Sequence, residues 1–305
     1  MNKPGTNKLR AAVLGSGNIG TDLAIKLHQS ELLECTALIG RSLSSAGLAR
    51  AQADGIPVSA AGVDRILNAP DEFDIVFDAT SAAAHHEHAP KLEALGKIVI
   101  DLTPAKRGPF CVPSINLDSS FESVNVNMVT CGGQASSPIA HALGETHDDV
   151  DYIEVVSSIA SRSAGPATRQ NLDEYIHTTE AALQMFSGAR RAKAILNLNP
   201  AVPCINMQTT VFAKVANPNV EAFADRLAKL VAEIQRYIPG YETILAPKLD
   251  NGRIVTMVRV IGRGDYLPAY AGNLDIINCA AIAFAEAYAA RVLHSEKTPR
   301  LRVVP

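Results

Sequence analysis

A glycine pattern near the start of the chain restricts its fold more than any other feature. Gly15-Ser16-Gly17-Asn18-Ile19-Gly20 follows a short apolar strand, Leu9 to Leu14, and precedes a helical run, Thr21 to Leu27. G-x-G-x-x-G in that context is the fingerprint of a dinucleotide-binding turn. Gly15 makes the tight turn, Gly17 lets the backbone approach a pyrophosphate, and Gly20 lets helix pack on strand. The helix N-terminus offers N–H donors to the phosphates.

The pattern continues as alternating strands and helices, which predicts a doubly wound parallel sheet. A second strand covers Leu33 to Ile39, a helix Ser45 to Asp54, and a short strand Val58. Asp74 to Asp78 and Ile98 to Leu102 read as buried strands, with a helix over Ala83 to Leu95 between them. The second strand ends Gly40-Arg41-Ser42, without the carboxylate that usually holds the ribose of NAD. Arg41 could stack on adenine, meet the 2′-phosphate of NADP, or stand in solvent. Thr80 and Ser81 follow a strand's carboxyl end, where open α/β sheets bind ligands, or cap the next helix. His85, His86 and His88 complete no tetrahedral set and read as a solvated helix start.

The chemistry centres on Ser123 to Gly144. Val124, Val126 and Met128 alternate with Asn125 and Asn127 as in a strand. A short helix follows, capped by Ser136 or Ser137, with Pro138 near its first position and Gly144 stopping it. Cys131 stands at the junction, followed by Gly132 and Gly133. A thiol before a helix N-terminus feels the positive end of the dipole, which favours the thiolate. The two glycines would let the backbone aim free N–H donors at a bound group. Cys131 is thus a candidate nucleophile; the alternative is a small buried core residue.

After Gly144 the pattern changes. Val150 to Ala160 is a long strand, and Ser161 to Asn171 is a loop opening a helix over Thr168 to Phe186. Ala189 to Leu196 adds a segment. Strands at Ile205 to Val215, Thr243 to Ala246 and Arg253 to Gly262 flank an amphipathic helix, Val220 to Tyr237. They suggest a mixed sheet carrying substrate and subunit contacts. An Ala-rich helix from Gly272 returns to the first domain, and residues after His294 read as a polar tail. The expected units are a dinucleotide-binding domain, residues 1–130 and 273–305, and a catalytic and dimerisation domain, 131–272.

A formal net charge of −3 gives no general basis for binding nucleic acid. No apolar run reaches the roughly 18–20 residues that span a bilayer, so no membrane partner is expected. Five dispersed cysteines, none in a Cys-x-x-Cys pair, point to a reducing cytoplasm.

Four motifs in order, Gly15-Ser-Gly-Asn-Ile-Gly-Thr-Asp, Val129-Thr-Cys-Gly-Gly-Gln-Ala, Ser163-Ala-Gly-Pro-Ala-Thr-Arg-Gln-Asn and Ala271-Gly-Asn-Leu-Asp-Ile, resemble the acylating acetaldehyde dehydrogenases of aromatic meta-cleavage pathways. The resemblance covers nearly the whole chain. It implies a semialdehyde-dehydrogenase-like α/β fold, a Rossmann-type dinucleotide-binding domain plus an α+β substrate and dimerisation domain. It implies oxidation of acetaldehyde to acetyl-CoA, with NAD preferred over NADP and coenzyme A as co-substrate. Cys131 would carry the acyl thioester. Ser16, Gly17, Asn18, Ile19, Ser163, Ala164, Gly165, Pro166, Ala167, Thr168, Arg169, Gln170, Asn171 and Asn273 would touch NAD. The implied partner is 4-hydroxy-2-oxovalerate aldolase, docked on a homodimer in a heterotetramer and passing acetaldehyde through a protected channel. Family mechanisms place a carboxylate near the cysteine, and Asn206-Met-Gln-Thr-Thr-Val offers none. The competing readings are a phosphorylating semialdehyde dehydrogenase, disfavoured because no histidine lies in 200–290, and a non-catalytic dinucleotide-binding sensor.

Overall fold

The computed structural model describes residues 8–297. The first half of the chain is β1 (Leu9–Leu14), α1 (Asn18–Leu27), β2 (Leu33–Ile39), α2 (Ala46–Ala53), β3 (Val58–Ser59), α3 (Asp64–Leu67), β4 (Ile75–Asp78), α4 (Ala82–Ala94), β5 (Ile98–Asp101), α5 (Pro113–Ser120) and β6 (Asn125–Asn127). These six strands form one parallel sheet in the order β3-β2-β1-β4-β5-β6. Its strands read as continuous apolar runs because both faces are covered. Along β1, Ala11 and Val13 enter one core and Ala12 and Leu14 another.

The second half begins with α6 (Cys131–Thr146) and β7 (Val150–Ala160). Then come α7 (Pro166–Gln170), α8 (Leu172–Ser187), β8 (Arg191–Asn199), β9 (Met207–Val215), α9 (Val220–Ile234), β10 (Tyr241–Asp250), β11 (Arg253–Val260) and α10 (Gly272–Lys297). The five strands form a mixed sheet, β10-β11-β9-β7-β8, in which only β7 and β8 run parallel. Residues of α6, α8 and α9 share its apolar core. On the opposite face, Val156 of β7 stands between Ile195 of β8 and Thr210 of β9.

The helix after β6 starts earlier than its serines and proline suggest. Thr130 is the cap, its hydroxyl accepting from the Gly133 N–H at 2.8 Å. Pro138 therefore lies inside α6, and Gly144 does not stop it. A Cβ at Gly144 would press on the Ser187 backbone of α8, so that glycine serves close helix packing. The expected helix from Thr168 is two helices, broken at Asn171. Strand β10 extends beyond Thr243 to Ala246 on both sides, paired to β11 through two register shifts.

Helix α10 corrects the reading that no apolar run is long enough to span a bilayer. Gly272–Leu293 has a mean hydropathy of 1.5 and is long enough to cross a bilayer by length and composition. It instead packs against α1, α5 and α6, with Ile276, Ile277 and Phe284 buried. Polar contacts pin it to α1. Asn278 Nδ2 donates to the Ile19 carbonyl at 3.1 Å and to Asp22 at 2.7 Å. The buried Lys26 ammonium lies 2.9 Å from Asp22 and 3.3 Å from Asp275. Burial alone would lower its pKa, but these carboxylates and Asp265 hold it above the ordinary lysine value. The helix continues to Lys297; the rest of the expected polar tail lies outside the described residues.

Candidate active site

A cleft opens where the order of the parallel sheet reverses, between β1 and β4. Its walls come from Gly17, Asn18 and Ile19 at α1, from Ala79 and Thr80 after β4, and from Leu102, Thr103 and Pro104 after β5. Val129, Thr130 and Cys131, the loop around Gly165, Tyr175 of α8, and Asn273 and Ile277 of α10 close it.

The three glycines of the turn have different tasks. Gly15 has φ +103°, and a Cβ there would collide with the Ala79 carbonyl. At Gly20 a Cβ would collide with the Gly15 carbonyl. At Gly17 a Cβ would meet nothing within 4 Å, so the backbone at the α1 N-terminus borders open space in the cleft. That is room for a phosphate against helix N–H groups. Asn273 Oδ1 is buried in the same cleft without a hydrogen-bond partner. A buried amide oxygen of this kind calls for a donor, which a bound ligand can supply. Both observations fit a dinucleotide.

The loop between β7 and α8 joins the turn directly: Asn18 Nδ2 donates to the Ser163 carbonyl at 3.3 Å. Ser163, Gly165, Pro166, Ala167, Thr168 and Asn171 line the cleft, as do Gly17, Asn18, Ile19 and Asn273. Four expected contacts do not. Ser16 Oγ is 2.7 Å from Ser45 Oγ, behind the turn. Ala164 is packed in the core. Arg169 folds back on its own loop, its guanidinium donating to the Ser161 carbonyl at 2.8 Å and hydroxyl at 2.9 Å. Gln170 is exposed. Arg41 is exposed past β2, and Ser81 caps α4.

Beneath Thr80 lies a buried polar cluster. Asp78 Oδ1 accepts from the Thr80 N–H at 3.1 Å and its hydroxyl at 2.5 Å. Asp78 Oδ2 is 3.0 Å from His85 Nδ1 and 3.3 Å from His88 Nδ1. His85 Nε2 faces Asp101 at 3.4 Å. His85 is therefore fully buried rather than at a solvated helix start, drawn in by two carboxylates at neighbouring strand ends. Burial opposes ionisation of Asp78, yet hydrogen bonds from His85, His88 and Thr80 hold its carboxyl well below the usual value. Asp101 goes the other way: burial pushes it up to about 7 against the pull of His85 and Thr103.

Cys131 is the first residue of α6 and packs against the apolar cores of both sheets. The glycines after it do not leave free N–H groups. Gly132 N–H donates to Tyr175 Oη at 3.0 Å, and Gly133 N–H is taken by the Thr130 cap. A Cβ at Gly132 would collide with the Tyr175 hydroxyl, and one at Gly133 with Val129. Glycine is required here by protein neighbours. Cys131 Sγ and Tyr175 Oη are 3.7 Å apart. Burial pushes the Cys131 thiol up to about 11, although Tyr175 and the N–H groups of Gly132 and Cys131 favour the thiolate. Desolvation thus outweighs the helix-terminus effect expected from sequence. Tyr175 was not foreseen. It stands one turn after Asn171, the residue that caps α8, and both line the cleft, but in sequence it reads as a core aromatic.

Residues 131–268 match the family described as prokaryotic acetaldehyde dehydrogenase, dimerisation, and residues 10–124 match the semialdehyde dehydrogenase NAD binding domain. The chain is 58% identical over 281 residues to an acetaldehyde dehydrogenase of Pectobacterium atrosepticum, covering 92% of this chain and 95% of that one. It is 49% identical over 299 residues to an acetaldehyde dehydrogenase of Burkholderia pseudomallei, covering 98% of each. Among solved structures it is similar to an aspartate semialdehyde dehydrogenase with NADP from Candida albicans. That likeness has a TM-score of 0.67 at 13% identity, over 94% of this chain and 99% of the other, and is one of fold.

Proposed function

The chain belongs to the acetaldehyde dehydrogenase family, and from that premise we propose that it oxidises acetaldehyde and other short aldehydes to the coenzyme A thioester, with Cys131 as nucleophile. The observation that carries this reading is the position of Cys131 in one cleft with the glycine turn, the first following β6 and the second β1 of the parallel sheet. Gly17, Asn18, Ile19, Asn273 and the residues of the 163–171 loop that line the cleft would hold NAD, which would supply the hydride acceptor; NADP is the alternative.

Cys131 adds to the aldehyde carbonyl as the thiolate, making the carbon–sulfur bond and placing negative charge on oxygen. Loss of hydride leaves a thioester on Cys131. The thiol of coenzyme A then attacks that thioester and releases the Cys131 sulfur. The apolar walls, Leu102, Val129 and Ile277, limit water that would hydrolyse it.

In this reading residues 1–130 and 273–305 form the dinucleotide-binding unit and 131–272 the catalytic and dimerisation unit. Two chains pair through the open face of the mixed sheet. A 4-hydroxy-2-oxovalerate aldolase of aromatic catabolism docks outside that dimer and delivers acetaldehyde. Five free cysteines suit the reducing cytoplasm.

The test is NADH formation from acetaldehyde, with coenzyme A or phosphate as acceptor, for the wild type and Cys131→Ser. Turnover that requires coenzyme A and is lost in the serine variant, which still binds NADH, supports the reading. A phosphate requirement would make the chain a phosphorylating dehydrogenase, and no turnover would leave a dinucleotide-binding sensor.

A further inference from the structure

Among the described residues lining the cleft, Cys131 and Tyr175 are the only side chains that titrate. No carboxylate or imidazole reaches in to manage the thiol. Tyr175 is 6% exposed. Its oxygen accepts the Gly132 N–H at 3.0 Å, which leaves its own proton for another acceptor. Two candidates face it. Thr130 Oγ1 is already engaged by the Gly133 N–H at 2.8 Å and Thr179 Oγ1 at 2.8 Å. Cys131 Sγ, at 3.7 Å, donates to the phenol oxygen as a thiol and, once deprotonated, becomes an acceptor for the phenol proton with no such competition from side chains.

We propose that Tyr175 is a catalytic residue of this site, donating its hydroxyl proton in a hydrogen bond to the Cys131 thiolate and, once the carbon–sulfur bond forms, to the neighbouring carbonyl-derived oxygen. The proposal rests on the reading of Cys131 as nucleophile. In the addition step the sulfur lone pair becomes the carbon–sulfur bond and the carbonyl π pair withdraws onto oxygen. The phenol keeps its proton throughout; only its hydrogen bond moves. Burial and the adjacent sulfur hold the Tyr175 phenol well above its ordinary value, so it acts as a donor and never as a base. The helix terminus therefore also reaches the sulfur in relay, beside the direct effect of the Gly132 and Cys131 N–H groups. Gly132 N–H polarises the phenol, and the phenol meets the charge. This also explains why position 132 has no side chain, since a Cβ would displace the hydroxyl.

The test is alkylation of Cys131 by iodoacetamide across a pH series, followed by peptide mass, in the wild type and Tyr175→Phe. The variant should shift the alkylation midpoint up by about one pH unit, slowing the reaction about tenfold near neutral pH. In turnover, kcat should fall by about 10- to 1000-fold while the aldehyde KM stays close to the wild-type value. An alkylation profile identical to the wild type would overturn the proposal. Should Tyr175→Phe not fold, protein carrying 3-fluorotyrosine gives the converse reading. Its more acidic phenol should lower the midpoint, and an unmoved midpoint overturns the proposal equally. Alkylation uses neither aldehyde nor coenzyme A. A shifted profile in Tyr175→Phe, with a wild type that oxidises no aldehyde, would therefore sink the proposed function and leave the pairing of Tyr175 with Cys131 intact.

Discussion

Asn18 Nδ2 and the Ser163 carbonyl meet at 3.3 Å across 145 residues of chain. The first belongs to the glycine turn, the second to the loop after β7, so one hydrogen bond sets the spacing of two cleft walls. Asn18→Ala should release the loop from the turn. Loss of one such bond is worth about 1 kcal/mol, or roughly fivefold in affinity. NADH titration by fluorescence should show that weakening, with thermal stability nearly unchanged. Equal affinity in the two proteins would mean that the contact does not position the loop.

Gly17 has ordinary extended backbone, φ −80°, and open space where its Cβ would stand. Gly17→Val should therefore fold. Its branched side chain would fill the phosphate space and raise the NADH dissociation constant at least about tenfold. Alkylation of Cys131 should hardly change. A folded variant with wild-type affinity would remove the turn from the dinucleotide site.

Asp101 gives stability an acid-side component. Its pKa is raised by burial from the ordinary aspartate range to about 7. The native state therefore holds the proton more tightly than the unfolded state. That stabilisation is fully present below the unfolded value near 4 and is lost as pH rises through about 7. Asp101→Asn, which cannot titrate, should gain on the wild type over this window by on the order of 4 kcal/mol, the His85 attraction being already contained in the raised value. Urea unfolding at several pH values measures the difference. A constant difference between the two proteins would show that Asp101 ionises normally.

On the open face of the mixed sheet, Val156 is flanked by Ile195 and Thr210. If two chains pair through this face, Val156→Arg places an unpaired cation at its centre. Sedimentation velocity should then show a dimer for the wild type and a monomer for the variant, with unchanged circular dichroism. A variant that stays dimeric would move the interface elsewhere.

Sequence periodicity exposed the architecture well where one force dominated. Strand β7 occupies the eleven residues its alternation marks, because one face is buried and the other is not. The edge strand β10 was underestimated, since seven of its last eight residues are polar, exposed or Pro247 and only pairing to β11 keeps them extended. That Cys131 and most of the 163–171 loop border one cleft was legible from motif order. The orientation of Arg169 was not, because three acceptors on its own loop capture it. Nor was the start of α6. Two glycines and a proline argue against helix there, and they are outweighed by the Thr130 cap, the Tyr175 hydroxyl and packing that admits no Cβ. His85 shows the same limit, its environment being set by Asp78 and Asp101 from separate strands.

Helix α10 touches α1, α5, α6 and β11, and the half-buried Cys131 packs against the apolar cores of both sheets. Neither unit can melt without stripping the cover from its neighbour. Heating should accordingly produce a single calorimetric peak whose measured enthalpy equals the van't Hoff enthalpy, instead of two separable transitions. A destabilising change anywhere in the mixed sheet would then be felt in full by the nucleotide-binding half, and the cleft walls around Cys131 would come apart only when the whole chain lets go.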